Sequence, residues 1–273
     1  MSTEEFIAIH DDQRVTRVFP ARPRGRDRGD ALAEARVPGN DPFPAARGPA
    51  LFRDLGSRLD EAFEQKLFEP FTRIRTVAAV LMDDPGKRYA DQSSAIGEAA
   101  EHAEQKLREI LDFMRIAAGE LRVARRRVDL KVLCERVVDA IHNAHAHRQM
   151  LFTSDSRLEG QWDPDRMATL LTSLVLNALQ HGLPRPAVRI ELRGTPDHVV
   201  LQVWNAGSIG DPDLAHRLFE PFVCGRVRQA GTPEGLGLGL FLAREIAWAH
   251  GGHIDVQSTE KDGTTFRVTV PRS

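Results

Sequence analysis

Three glycines at every second position, Gly235, Gly237 and Gly239, run straight into an amphipathic segment, Leu240 to Ala249, that ends in His250-Gly251-Gly252. A glycine backbone can approach a ligand closely and adopt positive φ without a Cβ penalty. The start of a helix adds unpaired N–H groups and a partial positive charge. Together they make a cradle for phosphate. The spacing is neither GxGxxG nor GxxxxGK[ST], so a dinucleotide fold and a Walker-type loop fit poorly. The plain structural alternative is a glycine hinge before a helix. Three further clusters precede the glycines: Asn177-Ala178-Leu179-Gln180-His181, Asn205-Ala206-Gly207-Ser208-Ile209-Gly210 and Phe219-Glu220-Pro221-Phe222.

Residues 128–273 read as mixed α and β. Arg166 to Gln180 is a strong helical pattern, with Asp163 as capping residue and Pro164 at its first position. Val132 to Ile141 and Leu240 to Ala249 are also helical. Ala187 to Leu192 and Val199 to Trp204 alternate like paired strands around Thr195-Pro196-Asp197. Ile254 to Gln257 and Thr265 to Val270 do the same around Asp262-Gly263. This order suggests a layered sandwich, one sheet face covered by helices.

Residues 51 to about 120 read as two long helices broken at Asp83-Asp84-Pro85-Gly86. Phe52, Leu55, Leu59, Phe63, Leu67, Phe71, Ile74, Ala78 and Leu81 form one stripe at helical spacing. Ile96, Ala99, Ala103, Leu107, Ile110, Met114, Ala117 and Leu121 form the other. At 1.5 Å per residue each is roughly 40 Å long. Pairing with a second copy into a four-helix bundle would bury such stripes. The alternative is a hairpin packed on its own C-terminal domain.

Residues 1–50 form a disordered or weakly ordered tail in this reading, because ARPRGRDRGD and PGNDPFPAARGP offer little apolar surface. Phe6 to Ile9 and Val15 to Phe19 can pair as a marginal hairpin around Asp11-Asp12-Gln13. The net charge is −2, so bulk electrostatics give no case for nucleic acid or membrane surfaces. Two cysteines, Cys134 and Cys224, suit a reduced compartment better than a disulfide. No apolar run approaches a membrane span, and the acidic N-terminus lacks a signal pattern, so a cytoplasmic protein is expected. His142, His145 and His147 cluster near a helix end without an acid or cysteine to complete a metal set. The pentapeptide LFEPF, at 67–71 and again at 218–222, is read as chance.

The four ordered clusters of residues 128–273 resemble the N, G1, F and G2 boxes of the ATP-binding domain of sensor histidine kinases. That fold is shared with Hsp90, DNA gyrase and mismatch-repair ATPases. The tail HGGHIDVQSTEKDGTTFRVTVP resembles the kinase branch. The resemblance implies an α+β fold: a two-layer α/β sandwich ATP-binding domain over 128–273, preceded by a dimerising antiparallel helical hairpin over 51–125. It implies ATP and Mg²⁺ as cofactors. Asn177 matches the asparagine that holds Mg²⁺, and an amide oxygen is a suitable hard ligand beside phosphate oxygens. His181 would lie near the phosphates. Asn205 stands where the family has aspartate reading the adenine amino group, and an amide oxygen can accept the same N–H. Gly207 leaves room for the base, and Ile209 replaces the second glycine of that box. Gly235, Gly237 and Gly239 would wrap the triphosphate, and Thr264 would sit near the adenine. Phe222 to Glu234 would be a mobile lid, from which Arg226 or Arg228 can reach a phosphate. Ser173 replaces an asparagine, and Gln180 a base, implying a weaker phosphate grip.

Helix two and Val128-Asp129-Leu130 resemble the second helix and linker of the kinase hairpin. Helix one should then carry the phosphoacceptor pattern H-[DE]-L-R-x-P-L-T-R-I-R. The chain reads Gln65-Lys66-Leu67-Phe68-Glu69-Pro70-Phe71-Thr72-Arg73-Ile74-Arg75. Gln65 replaces the histidine, Lys66 the acid and Phe68 the arginine. An amide nitrogen is not a nucleophile, and a protonated lysine is not a base near pH 7. Phosphorylation at this site is therefore predicted absent. The alternatives are that His102, the only histidine on either helix, serves, or that the hairpin dimerises without phosphotransfer.

The expected protein is a histidine-kinase-like member of a two-component system, forming a homodimer or mixed dimer through residues 51–120. Its partner is a response regulator or partner kinase, with no nucleic acid and no membrane span. The resemblance implies an enzyme of the ATP-dependent protein histidine kinase type. One alternative is a nucleotide-binding pseudokinase that regulates a partner. Another is an anti-sigma-type serine kinase, which usually lacks the hairpin.

Overall fold

The computed structural model describes residues 7–10, 14–19, 35–38, 61–82, 90–224 and 236–273. Two compact units are present, Phe43–Leu121 and Arg122–Ser273 together with Met1–Pro42.

The first unit pairs α1 (Glu61–Met82) with α2 (Ala90–Ala118). They run antiparallel: Ser93 Oγ donates to Ala78 O, Arg75 pairs with Glu104 at 2.9 Å, and Arg108 lies 4.4 Å over the Phe68 ring. The Glu104 carboxyl is held below its ordinary value; burial opposes this, but hydrogen bonds from Arg108 and Arg75 outweigh it. Ala78, Ala100, Leu111 and Ala117 are buried, whereas Ile74, Val77, Val80, Ile96 and Ile110 are exposed. Ile74, Ile96 and Ile110 belong to the stripes seen in the sequence, so packing within one chain leaves parts of both stripes uncovered. Stripe residues before Glu61 lie outside the described residues.

The second unit is built on one sheet. Its centre is β5 (Met150–Asp155), β7 (Val188–Gly194), β8 (His198–Asn205), β10 (Gly263–Pro271) and β9 (His253–Thr259), in that spatial order. The β5–β7 pair is parallel and the others antiparallel. Register places Phe152, Ile190, Val203, Phe266 and Val256 side by side across one face. All five are buried. That face is covered by α3 (Leu130–Ala144), α4 (Pro164–His181) and α6 (Gly239–Ala249), as the alternation in the strands predicts, with the short α5 (Pro212–Arg217) preceding α6 in the chain. Each fully buried large side chain of this layer contributes about 1.5–3 kcal/mol. On the other face Arg189 stacks 3.7 Å over Trp204.

The sheet extends further than the sequence suggested. β1 (Ile7–His10) pairs with β2 (Arg14–Phe19), and β2 adds antiparallel to β5. β3 (Ala35–Pro38) adds antiparallel to β9 at the opposite edge. The described segments of residues 1–50 thus contain the hairpin expected around Asp11-Asp12-Gln13, here joined to the sheet, and one further strand, β3. Edge strands present unpaired N–H and C=O groups, and a short segment can join them without a core of its own. A small second sheet pairs β4 (Arg126–Asp129) with β6 (Glu159–Trp162). Among the described residues no helix is long and apolar enough to cross a membrane.

One buried histidine locks the helical layer. The ring of His250 accepts at Nε2 from the Asp163 N–H, 3.0 Å away, so the proton sits on Nδ1, 2.8 Å from Ile246 O. Asp163 in turn caps α4 through the N–H groups of Asp165 and Arg166. Burial pushes His250 below the ordinary 6.5, against the Ile246 hydrogen bond, which raises it. His145 is lowered in the same way, by burial and then by His147 and Arg148. Both shifts favour the neutral ring in the fold, so the unfolded chain binds more protons as pH drops below that ordinary value. Their stabilisation is complete above it and is lost below. Denaturant midpoints at pH 7.5 and pH 5.5 should show the loss, and His250→Asn should reduce the difference.

Candidate functional site

Helix α4 brings the first group. Ser173, Asn177 and His181 recur every four residues on one face, while Leu170, Leu174, Val175 and Ala178 are buried. Asn177 and His181 are half-buried in its last two turns. A Cβ on Gly239 would lie 3.7 Å from Ser173 Cβ and Oγ. The glycine loop and the Asn177 face of α4 are thus neighbours, one helical turn apart.

Helix α6 begins at Gly239 with Leu238 as its capping residue, and no side chain caps it. The start of this helix brings backbone N–H groups and partial positive charge near the Ser173–Asn177 face. Gly237 has φ +68°, and a Cβ there would lie 2.7 Å from the backbone of Phe222 and Val223. Its carbonyl accepts from the Phe222 N–H at 3.0 Å. Phe222 itself has φ 64°, and Phe219 packs edge-on against Phe266, 6.4 Å between centroids. The F box thus closes onto the glycine loop. Gly235, Arg226 and Arg228 lie outside the described residues.

The second group forms at the ends of β8 and β10. Asn205 is buried and stands opposite Thr264 in the ladder. Its Nδ2 donates to Ala206 O at 3.1 Å. Gly207 has φ +110°, the left-handed region that favours glycine. Neighbouring atoms would be 3.8 Å or more from a Cβ there, so conformation and not crowding within the protein requires the glycine. A relay fixes this turn. Ile209 N–H donates to Ser258 Oγ at 2.8 Å, Ser258 and Thr264 hydroxyls are 2.8 Å apart, and Thr264 Oγ1 donates to Gly207 O at 2.7 Å. The carbonyl end can only accept, so Ser258 donates to Thr264. Ser258 was not singled out in the sequence; only the β9–β10 register brings it here.

The two groups meet at the end of α4. A Cβ on Gly182 would lie 2.4 Å from Ala178 O and 2.8 Å from Asn205 Cβ. Leu183 N–H donates to Ala206 O at 2.8 Å. Asn177, His181, Asn205, Gly207, Gly237, Gly239 and Thr264 thus belong to linked elements around one rim. The arrangement sets the start of α6 against Ser173 of α4, and Asn205 opposite Thr264 at the ends of β8 and β10. Asn177 has the right chemistry for Mg²⁺, which takes few protein ligands when phosphates supply others. Among the described residues no group of three or more His, Cys, Asp or Glu could hold a metal ion, and His142, His145 and His147 form no such set.

Gln65 and Lys66 lie on α1, and His102 lies on α2 in the other unit. Their side chains fall outside the described residues.

One sheet with helices packed on a single face is a two-layer α/β sandwich. Residues 162–273 match the family of histidine kinase-, DNA gyrase B- and HSP90-like ATPases. The chain is 31% identical over 219 residues to the bacteriophytochrome of Pseudomonas aeruginosa, covering 80% of this chain and 30% of that protein. It is 28% identical over 234 residues to the sensor protein CutS of Streptomyces coelicolor, covering 81% and 56%. The structure of full-length ShkA in complex with AMPPNP aligns with a TM-score of 0.56 at 22% identity, covering 77% of this chain and 44% of that one. The chain therefore spans less than two thirds of these relatives. Residues 162–273 carry the match to this ATPase family, and the chain is similar in sequence to sensor proteins of the histidine kinase type.

Proposed function

We propose that the rim binds ATP with Mg²⁺ and that the chain is a histidine-kinase-like component of two-component signalling that does not accept phosphate at Gln65. The observation that carries this is the convergence of the start of α6, the Asn177 face of α4 and the paired Asn205 and Thr264 at the ends of β8 and β10. In this reading Asn177 supplies Mg²⁺ with an amide oxygen, the N–H groups from Gly237 onward hold phosphate, and His181 stands beside them. Asn205, Gly207 and Thr264 receive the adenine. The relay through Ser258 keeps the base loop in shape before ligand arrives, which lowers the ordering cost of binding.

The uncovered apolar residues of α1 and α2 support pairing with a second hairpin, in a homodimer or a mixed dimer with a partner kinase. The hairpin also argues against an anti-sigma-type serine kinase. Gln65 and Lys66 favour a nucleotide-gated pseudokinase, regulating a partner kinase or response regulator, over a self-phosphorylating enzyme.

Calorimetric titration of the full chain with MgATP tests the reading. Binding is expected in the micromolar range, and Asn177→Ala is expected to weaken it at least about tenfold, the loss of one metal-directed contact. No binding by the wild-type chain overturns every version of the proposal.

A further inference from the structure

A buried cation outside the rim governs how α4 ends. Arg148 lies in the short connection between α3 and β5 and is only 4% exposed. Its Nη1 donates to Leu179 O at 2.5 Å and its Nη2 to Leu183 O at 3.1 Å. In a continuing helix Leu179 O would accept from the N–H of Leu183. That N–H instead donates to Ala206 O at 2.8 Å. The guanidinium therefore takes the place of the missing helical donor, and a cation at a helix C-terminus is also favoured by the helix dipole. The segment it brackets, Gln180 to Leu183, touches the base loop at three points. Gly182 abuts Asn205, Leu183 N–H holds Ala206 O, and His181 O lies 3.8 Å from where a Gly207 Cβ would be.

We propose that Arg148 is a positioning residue for the nucleotide site: by bridging Leu179 O and Leu183 O it releases the Leu183 N–H to hold Ala206, and so sets the base loop against the end of α4. Arginine is suited to the role because its fork places two donors at a fixed spacing, whereas lysine offers one charged centre on a flexible stem. The inference rests on the reading of this rim as an ATP site.

The test uses the full chain, with MgATP and adenosine as separate ligands. Arg148→Ala is expected to weaken both by the same factor, about tenfold, the scale of one charge-assisted hydrogen bond. Equal loss follows because the base loop moves and the phosphate cradle does not. Low-millimolar guanidinium is expected to restore part of that affinity, which a general loss of stability would not allow. Arg148→Lys is expected to fall between wild type and alanine, and it decides the matter if the alanine variant does not fold. Wild-type affinity in Arg148→Lys and Arg148→Ala overturns the inference while leaving the ATP site standing, as does a loss for MgATP alone. Failure of the wild-type chain to bind either ligand overturns the ATP-site reading and this inference with it.

Discussion

Gly237→Ala is expected to reduce MgATP affinity by well over about tenfold and to lower the thermal midpoint, whereas Gly239→Ala is expected to spare the midpoint and cut affinity only. Gly237 sits at φ +68°, and its added Cβ would stand 2.7 Å from Phe222 C and from Val223 N and O. None of these is the end of a flexible side chain, so the backbone itself must move. Left-handed backbone at a residue with a Cβ costs about 1–3 kcal/mol before any clash is counted. Relief comes only by breaking the bond from Phe222 N–H to Gly237 O, which is what closes the F box onto the glycine loop. Gly239 differs. A Cβ there would meet Ser173 at an ordinary 3.7 Å, and alanine at the first helical position is tolerated or mildly favoured. What it would fill is the space facing the phosphate donors. Matched calorimetry and thermal unfolding of the two variants separate the effects. Equal affinity in Gly239→Ala and wild type would mean that phosphate does not approach this backbone.

Residues legible in the sequence were those whose signal is local. Asp163-Pro164 announces the start of α4, and the cap geometry is present. Alternating glycines before an amphipathic segment announce α6, which begins at Gly239. What escaped depends on partners far away in the chain. Ser258 joins the base loop because β9 pairs with β10, which sets Ser258 opposite Thr264. Arg148 acts on Leu179 and Leu183, more than thirty residues on. Gly182 carries no turn signal of its own; the crowding of Ala178 and Asn205 makes it necessary. Strand β5 was missed because Met150 to Asp155 is short and its outward residues include Leu151, which blurs the alternation. The strands near the N-terminus were undervalued for a related reason. Their own apolar content is small, and their pairing energy comes from edges that a linear reading does not display.

The remaining prediction concerns the acceptor. With Mg²⁺ and γ-labelled ATP, the wild-type chain is expected to show no acid-labile, base-stable phosphate. Attack on the γ-phosphorus requires a lone pair free to form the new bond, and the lone pair of the Gln65 amide is delocalised into its carbonyl. Lys66, protonated near pH 7, cannot take a proton from a nucleophile beside it. Two changes are therefore needed at once. Gln65→His alone places an imidazole beside an ammonium group, which lowers its basicity, and only weak label is expected. Gln65→His with Lys66→Glu supplies a nucleophile and a neighbouring acceptor for its proton, and label is expected to rise well above the single variant. Such a gain would locate the defect in two side chains of α1 and leave the ATP domain competent. Acid-labile label on the wild-type chain that disappears in His102→Ala would instead place the acceptor on α2 and end the pseudokinase reading. Binding without label in any variant would point to a domain that uses ATP as a conformational ligand, where closing of the site and not transfer carries the signal.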